Sequence, residues 1–162
     1  MSLTFRHIQV TDNKKLAEVI RTVLREFKID RPGTVYTDPS TDSLFEYFQT
    51  FGSSYWLAFD DDKLIGGCGI YPTEGLPKNH VELVKFYLLS GYRGLGIGKE
   101  LMFKCFSDAE KLNYKHIYLE SMPELNVAVG LYEKYGFKPI SERLGTSGHF
   151  ACNILMIKSL EE

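Results

Sequence analysis

The residues with the clearest chemical signature are four glycines at positions 91, 94, 96 and 98, in the segment SGYRGLGIGKEL. They lie between an apolar run typical of a strand and an amphipathic stretch typical of a helix. Backbone amides in a glycine-rich turn can approach a ligand closely, and the N-terminus of a helix favours an anion. The segment therefore predicts an anion site, for which a pyrophosphate is the natural ligand.

Other glycine loops fit this segment less well. A P-loop requires Gly-x4-Gly-Lys-Ser/Thr, but the position five residues before Gly98 is Arg93, and Glu100 stands where the hydroxyl residue is needed. The dinucleotide fingerprint Gly-x-Gly-x-x-Gly does not match the spacing here, so an NAD(P)-binding oxidoreductase is the weaker alternative. Glycines that serve only a tight turn and close helix packing remain a third interpretation.

The elements that must position this loop follow from periodicity and from turn residues. Strand and helix patterns alternate in the order β-α-α-β-β-β-α-β-α-β-β, which predicts a single α+β domain over residues 1–162 with a mixed sheet covered by helices. Strand 81–89, helix 96–113 and strand 116–120 are expected to form a right-handed parallel crossover. The last helix is expected to run from Pro123 to Tyr135, and the last two strands over residues 137–142 and 150–158.

Here the residues resemble a known family. The segment YRGLGIGKEL is similar to motif A of the GNAT superfamily of N-acetyltransferases, Gln/Arg-x-x-Gly-x-Gly/Ala, with Arg93, Gly96 and Gly98 on the pattern. Glu120 at the end of the next strand and LYEKYGF at 131–137 extend the resemblance. It implies a mostly antiparallel sheet with one splayed parallel strand pair, flanked by helices.

The resemblance also implies a donor and its site. Acetyl-CoA would lie where strands 81–89 and 116–120 splay apart, with no metal involved. Its pantetheine would pair with backbone groups of Phe86, Tyr87 and Leu88. Its pyrophosphate would bind the loop that begins with Arg93, through the amides of Gly94, Leu95, Gly96, Ile97, Gly98 and Lys99. An amide-bearing arm can bind in this way because splayed strands expose backbone groups without partners.

The catalytic candidates are a phenol and two carboxylates. Tyr132 corresponds to the family's usual general acid, and Glu120 and Glu82 compete for the role of general base. Tyr132 as a core tyrosine and either glutamate as an ordinary strand acid are the alternatives. The family often has an asparagine seven residues before the acid tyrosine, but that position is Leu125, so one cofactor contact is absent from the pattern.

A covalent route through cysteine is the less favoured chemistry. Cys68, Cys105 and Cys152 fall within apolar helix or strand patterns, which indicates packing roles, and they do not form a disulfide or zinc pattern. His149 beside the last predicted strand is the histidine with the best position for a functional role.

Charge and composition limit the partners. Lysine and arginine number 19 and aspartate and glutamate 21, for a net charge of −2, which disfavours nucleic acid and anionic membranes as general partners. No stretch approaches the ~20 apolar residues of a membrane span, and a cytoplasmic location is expected. The expected acceptor is a small amine, an amino acid or a peptide amine, and a homodimer is possible. A non-catalytic domain that binds acetyl-CoA as a sensor or scaffold is the alternative function.

The expected acceptor wall combines the loop after the first helix, residues 28–46, with residues 144–149 and the turn that contains Glu74. Its polar candidates are Arg31, Tyr36, Asp38, Asp42, Glu46 and Glu74.

Overall fold

One mixed sheet organises the molecule. The computed structural model describes residues 1–148 and 150–161. Within these residues seven strands form a sheet in the order β1-β2-β3-β4-β5-β7-β6, in which β4 and β5 are parallel and the other neighbours are antiparallel. The strands are β1 (Leu3–His7), β2 (Ser54–Asp60), β3 (Lys63–Tyr71), β4 (His80–Leu88), β5 (His116–Ser121), β6 (Lys138–Ile140) and β7 (Ile154–Ser159).

Helices cover both faces of the sheet. They are α1 (Asn13–Glu26), α2 (Leu44–Tyr47), α3 (Ile97–Lys111) and α4 (Asn126–Lys134). The apolar stripe of α1 packs with Leu44 of α2 in one core, whereas the stripe of α3 packs with Tyr132 and Phe137 in a second core. The sheet therefore separates a face covered by α1 and α2 from a face covered by α3 and α4.

The parallel pair β4 and β5 is joined over a short length. Its register pairs His80 with His116, Val81 with Ile117 and Glu82 with Tyr118, and the pairing ends there. Strand β4 continues to Leu88 beside β3, and β5 continues to Ser121 beside β7. A cleft therefore opens between the two strands, and their edges there are available to a ligand.

A β-bulge interrupts β4 within this cleft. Gly67 of β3 pairs with Tyr87 and Gly69 pairs with Val84, so Lys85 and Phe86 both lie opposite one residue of β3. Lys85 has φ of 52°, in the left-handed region. An extra residue in one strand bends it and redirects its side chains, so the bulge decides which groups of β4 reach the cleft.

The element order predicted from the sequence is confirmed, and so are the parallel pair and its splayed end. The predicted start of the last strand is wrong. Residues 150 and 151 form a turn in which the Ala151 amide donates to the Gly33 carbonyl, and β7 begins at Ile154. Among the described residues, no helix is long and apolar enough to cross a membrane.

Candidate active site

The glycine loop presents a run of free backbone donors. Helix α3 begins at Ile97 with Gly96 as its N-cap, and within the described part of the chain the amides of residues 94–99 have no hydrogen-bond acceptor. Gly94 and Gly96 have φ of 76° and 84°, and a Cβ atom at either position would have no heavy atom within 4 Å. Six donors at an open helix N-terminus form a site for a phosphate group.

Arg93 stabilises this loop from behind. Its guanidinium donates to both carboxylate oxygens of Glu26, at 2.6 and 3.0 Å, and its Nε donates to the carbonyl of Leu88 at 3.0 Å. The same guanidinium lies 4.9 Å from the centre of the Phe27 ring. The side chain of Arg93 therefore connects the loop to α1 and β4, a position that the loop sequence did not predict.

The predicted pantetheine segment lies along the cleft. Phe86, Tyr87 and Leu88 form the end of β4 after its pairing with β5 has stopped. The Phe86 ring also contacts the start of α3, because a Cβ atom at Gly98 would lie 3.1 Å from the Phe86 Cζ. Glycine at position 98 thus lets the helix carrying the phosphate loop approach the bulged strand closely.

A cavity in the cleft brings all three catalytic candidates together. It passes between β4 and β5 and is lined by Glu82, Glu120 and Tyr132, with Lys85 and Cys152 beside them. Glu82 and Lys85 belong to the α1 side of the sheet, since Lys85 contacts Asp38 and Tyr47, whereas Tyr132 belongs to the core on the α3 side. The splayed strands thus give one cavity access to groups from both faces.

Glu120 is held by a dense set of donors. Its Oε1 accepts from Arg143 Nη1 at 2.7 Å and from Ser147 Oγ at 2.6 Å, and its Oε2 accepts from the Tyr118 hydroxyl at 2.7 Å. The side chain is 1% exposed. Because both oxygens already accept hydrogen bonds from an arginine and two hydroxyls, Glu120 fits a structural role better than proton transfer.

Glu82 has a different environment. The residue is 2% exposed, its Oε1 accepts from Thr73 Oγ1 at 2.7 Å, and its Oε2 has no hydrogen bond to a described residue. Burial raises the pKa of this carboxyl to about 7; the Thr73 hydrogen bond opposes that rise, and the charge of Glu120 adds to it. Such a carboxyl gains and loses a proton near neutral pH, as a general base requires.

Tyr132 lies on α4 across the cleft. It is 7% exposed, its ring centroid lies 6.1 Å from that of Phe86, and its hydroxyl has no hydrogen bond among the described residues. Burial raises the pKa of the phenol well above its usual value, so the hydroxyl keeps its proton at neutral pH. A protonated phenol at a cavity wall has the form a general acid requires.

Comparison with known proteins agrees with this geometry. Residues 20–137 match the profile of the Acetyltransferase (GNAT) family. The chain is 34% identical over 160 residues to the uncharacterised N-acetyltransferase YjgM of Escherichia coli (strain K12), covering 98% of this chain and 96% of that protein. The chain belongs to the acetyltransferase (GNAT) family.

Solved structures show the same fold. A GNAT-family acetyltransferase from Staphylococcus aureus Mu50 superposes with a TM-score of 0.88 at 22% identity, covering 99% of this chain and all of the other. The PaiA N-acetyltransferase of Thermoplasma acidophilum, solved in complex with coenzyme A, gives 0.72 at 21% identity, covering 98% and 99% of the two chains. The protein is thus an acetyltransferase, and acetyl-CoA is the donor in this family.

Lys85 is a part of the acetyltransferase cleft that sequence reasoning missed. Its side chain is 2% exposed, and its Nζ lies 3.5 Å from Asp38 Oδ2 and 5.3 Å from the centre of the Tyr47 ring. The carbonyl of Lys85 accepts a hydrogen bond from the Tyr55 hydroxyl at 2.6 Å. The sequence does not indicate that this lysine is buried, because the hydrophobic pattern around it shows no sign of the bulge that redirects its side chain.

The predicted acceptor residues separate into two groups. Asp38 reaches the cleft through Lys85, and Arg31 forms an ion pair with Glu124, before α4, at 2.8 Å. Asp42 and Glu46 instead contact α1, where they bind Arg21 and Asn13. These contacts fix both ends of the loop between α1 and α2. The carboxylate of Asp38, in this loop, contacts Lys85 of the cleft.

The cysteines do not favour covalent catalysis. All three are buried as free thiols, and Cys105 donates to the carbonyl of Cys68. Cys152 lines the cavity, but burial raises the pKa of its thiol to about 12, which leaves little of the reactive thiolate at neutral pH.

His149 lies outside the described residues. Among the described residues, no group of three or more acidic, histidine or cysteine side chains is arranged to hold a metal ion.

The unusual state of Glu82 has a consequence for stability. The folded-state pKa of about 7 exceeds the ordinary 4.5, so the folded protein binds more protons than the unfolded chain between these values. Glu82 therefore does not lower the free energy of unfolding below pH 4.5. Its penalty to that free energy grows as pH rises from 4.5 and is complete above pH 7. Glu82→Gln has no such penalty. We expect the free energy of unfolding of this variant, relative to wild type, to rise by roughly 2–3 kcal/mol between pH 4.5 and pH 8.

Urea unfolding at a series of pH values measures this difference. Glu133→Gln, at an exposed position on α4, removes one carboxylate elsewhere and serves as the matched control. A Glu82→Gln curve that runs parallel to wild type across this range would show that Glu82 is ionised normally.

Proposed function

We propose that the protein transfers an acetyl group from acetyl-CoA to the amine of a small molecule, an amino acid or a peptide, by direct attack of the amine on the thioester. The observation that carries this proposal is one cavity lined by a carboxyl with a pKa of about 7 and a buried phenol. Phe86, which also lines the cavity, contacts the start of α3, where six backbone amides have no acceptor among the described residues. These are the groups that direct transfer needs: a base, an acid and an anion site.

The pyrophosphate of the donor is assigned to the amides of residues 94–99, with the charge of Lys99 nearby. The pantetheine arm is assigned to the free edge of β4 at Phe86, Tyr87 and Leu88, where an extended amide chain can add as a strand. Arg93 contributes by fixing the loop against Glu26 and the Leu88 carbonyl.

Glu82 is proposed as the base. An alkylammonium with a pKa of about 10 must lose a proton before its nitrogen can attack. The pKa of Glu82 lies near neutrality and its Oε2 accepts no hydrogen bond from a described residue, whereas Glu120 has both oxygens engaged. Glu120 is accordingly assigned to holding Arg143 and the Tyr118 hydroxyl at the end of the cleft.

Tyr132 is proposed as the acid. As the carbon–sulfur bond breaks, the departing thiolate needs a hydrogen-bond donor and then a proton. The raised pKa of the phenol keeps its proton in place at every pH at which Glu82 is deprotonated. The two groups therefore hold complementary protonation states in the same cavity.

The acceptor class is proposed from the charges around the cavity. Glu82, Glu120 and Asp38 outnumber the cations Lys85 and Arg143, and this balance suits a positively charged amine more than an anionic group. A single cavity enclosed by the loop between α1 and α2 also suits a small or extended acceptor.

A release assay for the CoA thiol, with acetyl-CoA and a panel of amines, amino acids and peptides, tests the function. We expect release that depends on at least one amine, with the acetylated product identified by mass spectrometry. Binding of acetyl-CoA in calorimetry with no amine-dependent release across the panel would instead support the sensor or scaffold alternative.

Substitutions of the two carboxylates should separate their roles. We expect Glu82→Gln to lower kcat/KM by about 10²–10⁴-fold and to abolish the rise of kcat/KM with pH through 7. Glu120→Gln should retain that rise but move it to lower pH, because the charge of Glu120 raises the pKa of Glu82. A Glu120→Gln enzyme without activity, beside an active Glu82→Gln enzyme, would assign the base to Glu120.

Tyr132→Phe removes the phenol oxygen and retains the ring that packs on Phe86 and Phe137. We expect kcat to fall about 10²-fold or more, with the Kd for acetyl-CoA nearly unchanged, because the hydroxyl acts on the departing sulfur. Unchanged turnover would remove Tyr132 from the mechanism. Tyr135→Phe, on the same segment of the chain, is the matched control.

A further inference from the structure

Lys85 carries two energetic costs that a side chain on the surface would avoid. Its φ of 52° is unfavourable for a residue with a Cβ atom. Its ammonium is also buried, with a side chain 2% exposed. Such a combination persists where the surroundings hold the residue firmly, and it tends to occur at functional sites.

The partners of Lys85 join two parts of the enzyme. Asp38, 3.5 Å from Nζ, also accepts from the amide and hydroxyl of Ser40 and so orders the loop between α1 and α2. The Tyr47 ring below Nζ stacks on Tyr71 of β3 at 4.0 Å. The ammonium thus connects the wall of the acceptor end to the bulge of β4.

Lys85 and Glu82 also line the same cavity on the same side of the sheet. The other groups that act on Glu82 come from each neighbouring element: Thr73 after β3, Tyr47 of α2, Glu120 of β5, Arg143 after β6 and Cys152 before β7. Lys85 and Arg143 favour the carboxylate, whereas Glu120 disfavours it. Arg143 is bound to Glu120 and Lys85 to Asp38, and of these two cations Lys85 is the one on β4, the strand that carries Glu82.

We propose that Lys85 is a positioning residue of the acetyltransferase, which fixes the acceptor loop through its ion pair with Asp38 and places its ammonium in the cavity that Glu82 also lines. The kinetic part of this inference rests on the proposed role of Glu82 as base; the electrostatic part does not. The bulge permits this arrangement, because it places the lysine on the same side of β4 as Glu82.

The test compares Lys85→Met, Lys85→Arg and a matched control, Lys138→Met, at an exposed position of β6. Methionine is unbranched like lysine, so the backbone conformation at the bulge is disturbed little. Should the single variant fail to fold, the double variant Asp38→Asn/Lys85→Met removes the anion together with the cation, and a smaller shift is measured in it.

The primary readout is the titration of Glu82 by carbon NMR of glutamate labelled at the carboxyl carbon, assigned by the resonance that disappears in Glu82→Gln. We expect the midpoint to rise by about one pH unit in Lys85→Met, to rise less in the double variant because the charge of Asp38 opposes that of Lys85, and to stay near wild type in Lys85→Arg and Lys138→Met. An unchanged midpoint in the variants without the lysine would overturn the inference.

The second readout is the pH profile of acetyl transfer. The rise of kcat/KM should move to higher pH together with the NMR midpoint. KM for the acceptor should increase because the ion pair with Asp38 no longer fixes the loop. A midpoint that moves while the kinetic profile stays fixed would leave the role of Lys85 intact and reject Glu82 as the base. The failure of the inference and the failure of the proposed function therefore give different results.

Discussion

The early end of the pairing between β4 and β5 is the constraint on which the rest of the structure depends. Parallel strands normally continue side by side, yet this pair stops at Glu82 and Tyr118. Each strand keeps its other neighbour, so the sheet stays intact while a gap opens within it. The bulge at Lys85 maintains the gap because it bends β4 at the point where the pairing with β5 has stopped.

The gap in turn determines how charge is distributed. A cleft inside a sheet has low polarity, and every charged group there needs a partner. Glu120 has a guanidinium and two hydroxyls, and Asp38 has the ammonium of Lys85. Among the described residues Glu82 has a single donor, the hydroxyl of Thr73, and burial raises the pKa of its carboxyl to about 7. The same environment thus surrounds two carboxylates with cations and leaves Glu82 without one at hydrogen-bond distance among the described residues.

The sequence was informative where the signal is local. The element order follows from periodicity, and the anion site follows from glycines at the start of an amphipathic helix, a pattern contained within about ten residues. The family resemblance then located Tyr132 and the two glutamates, which the fold brings to one cavity.

Contacts between distant segments were beyond sequence reasoning. Arg93 fits the motif of the phosphate loop, but the partner of its guanidinium is Glu26, which is 67 residues away in the chain. Lys85 lies between Val84 and Phe86 in a strand whose alternation would place it opposite Glu82; the bulge reverses that placement. The choice between Glu82 and Glu120 likewise depends on Arg143 and Ser147, which lie in a loop with no pattern of its own.

The arrangement also explains why an acid and a base can coexist in so small a site. The two groups come from opposite faces of the sheet, since Glu82 belongs to the α1 face and Tyr132 to the α3 face. The splayed strands separate the two while leaving both at the wall of one cavity.

Burial acts in the same direction on both pKa values, raising that of the carboxyl to about 7 and that of the phenol still higher above it. The interval between them is the range in which the carboxylate is free to accept a proton while the phenol retains one. In our proposal, the substrate amine gives its proton to Glu82 on one side of the gap, and the departing thiolate receives a proton from Tyr132 on the other side.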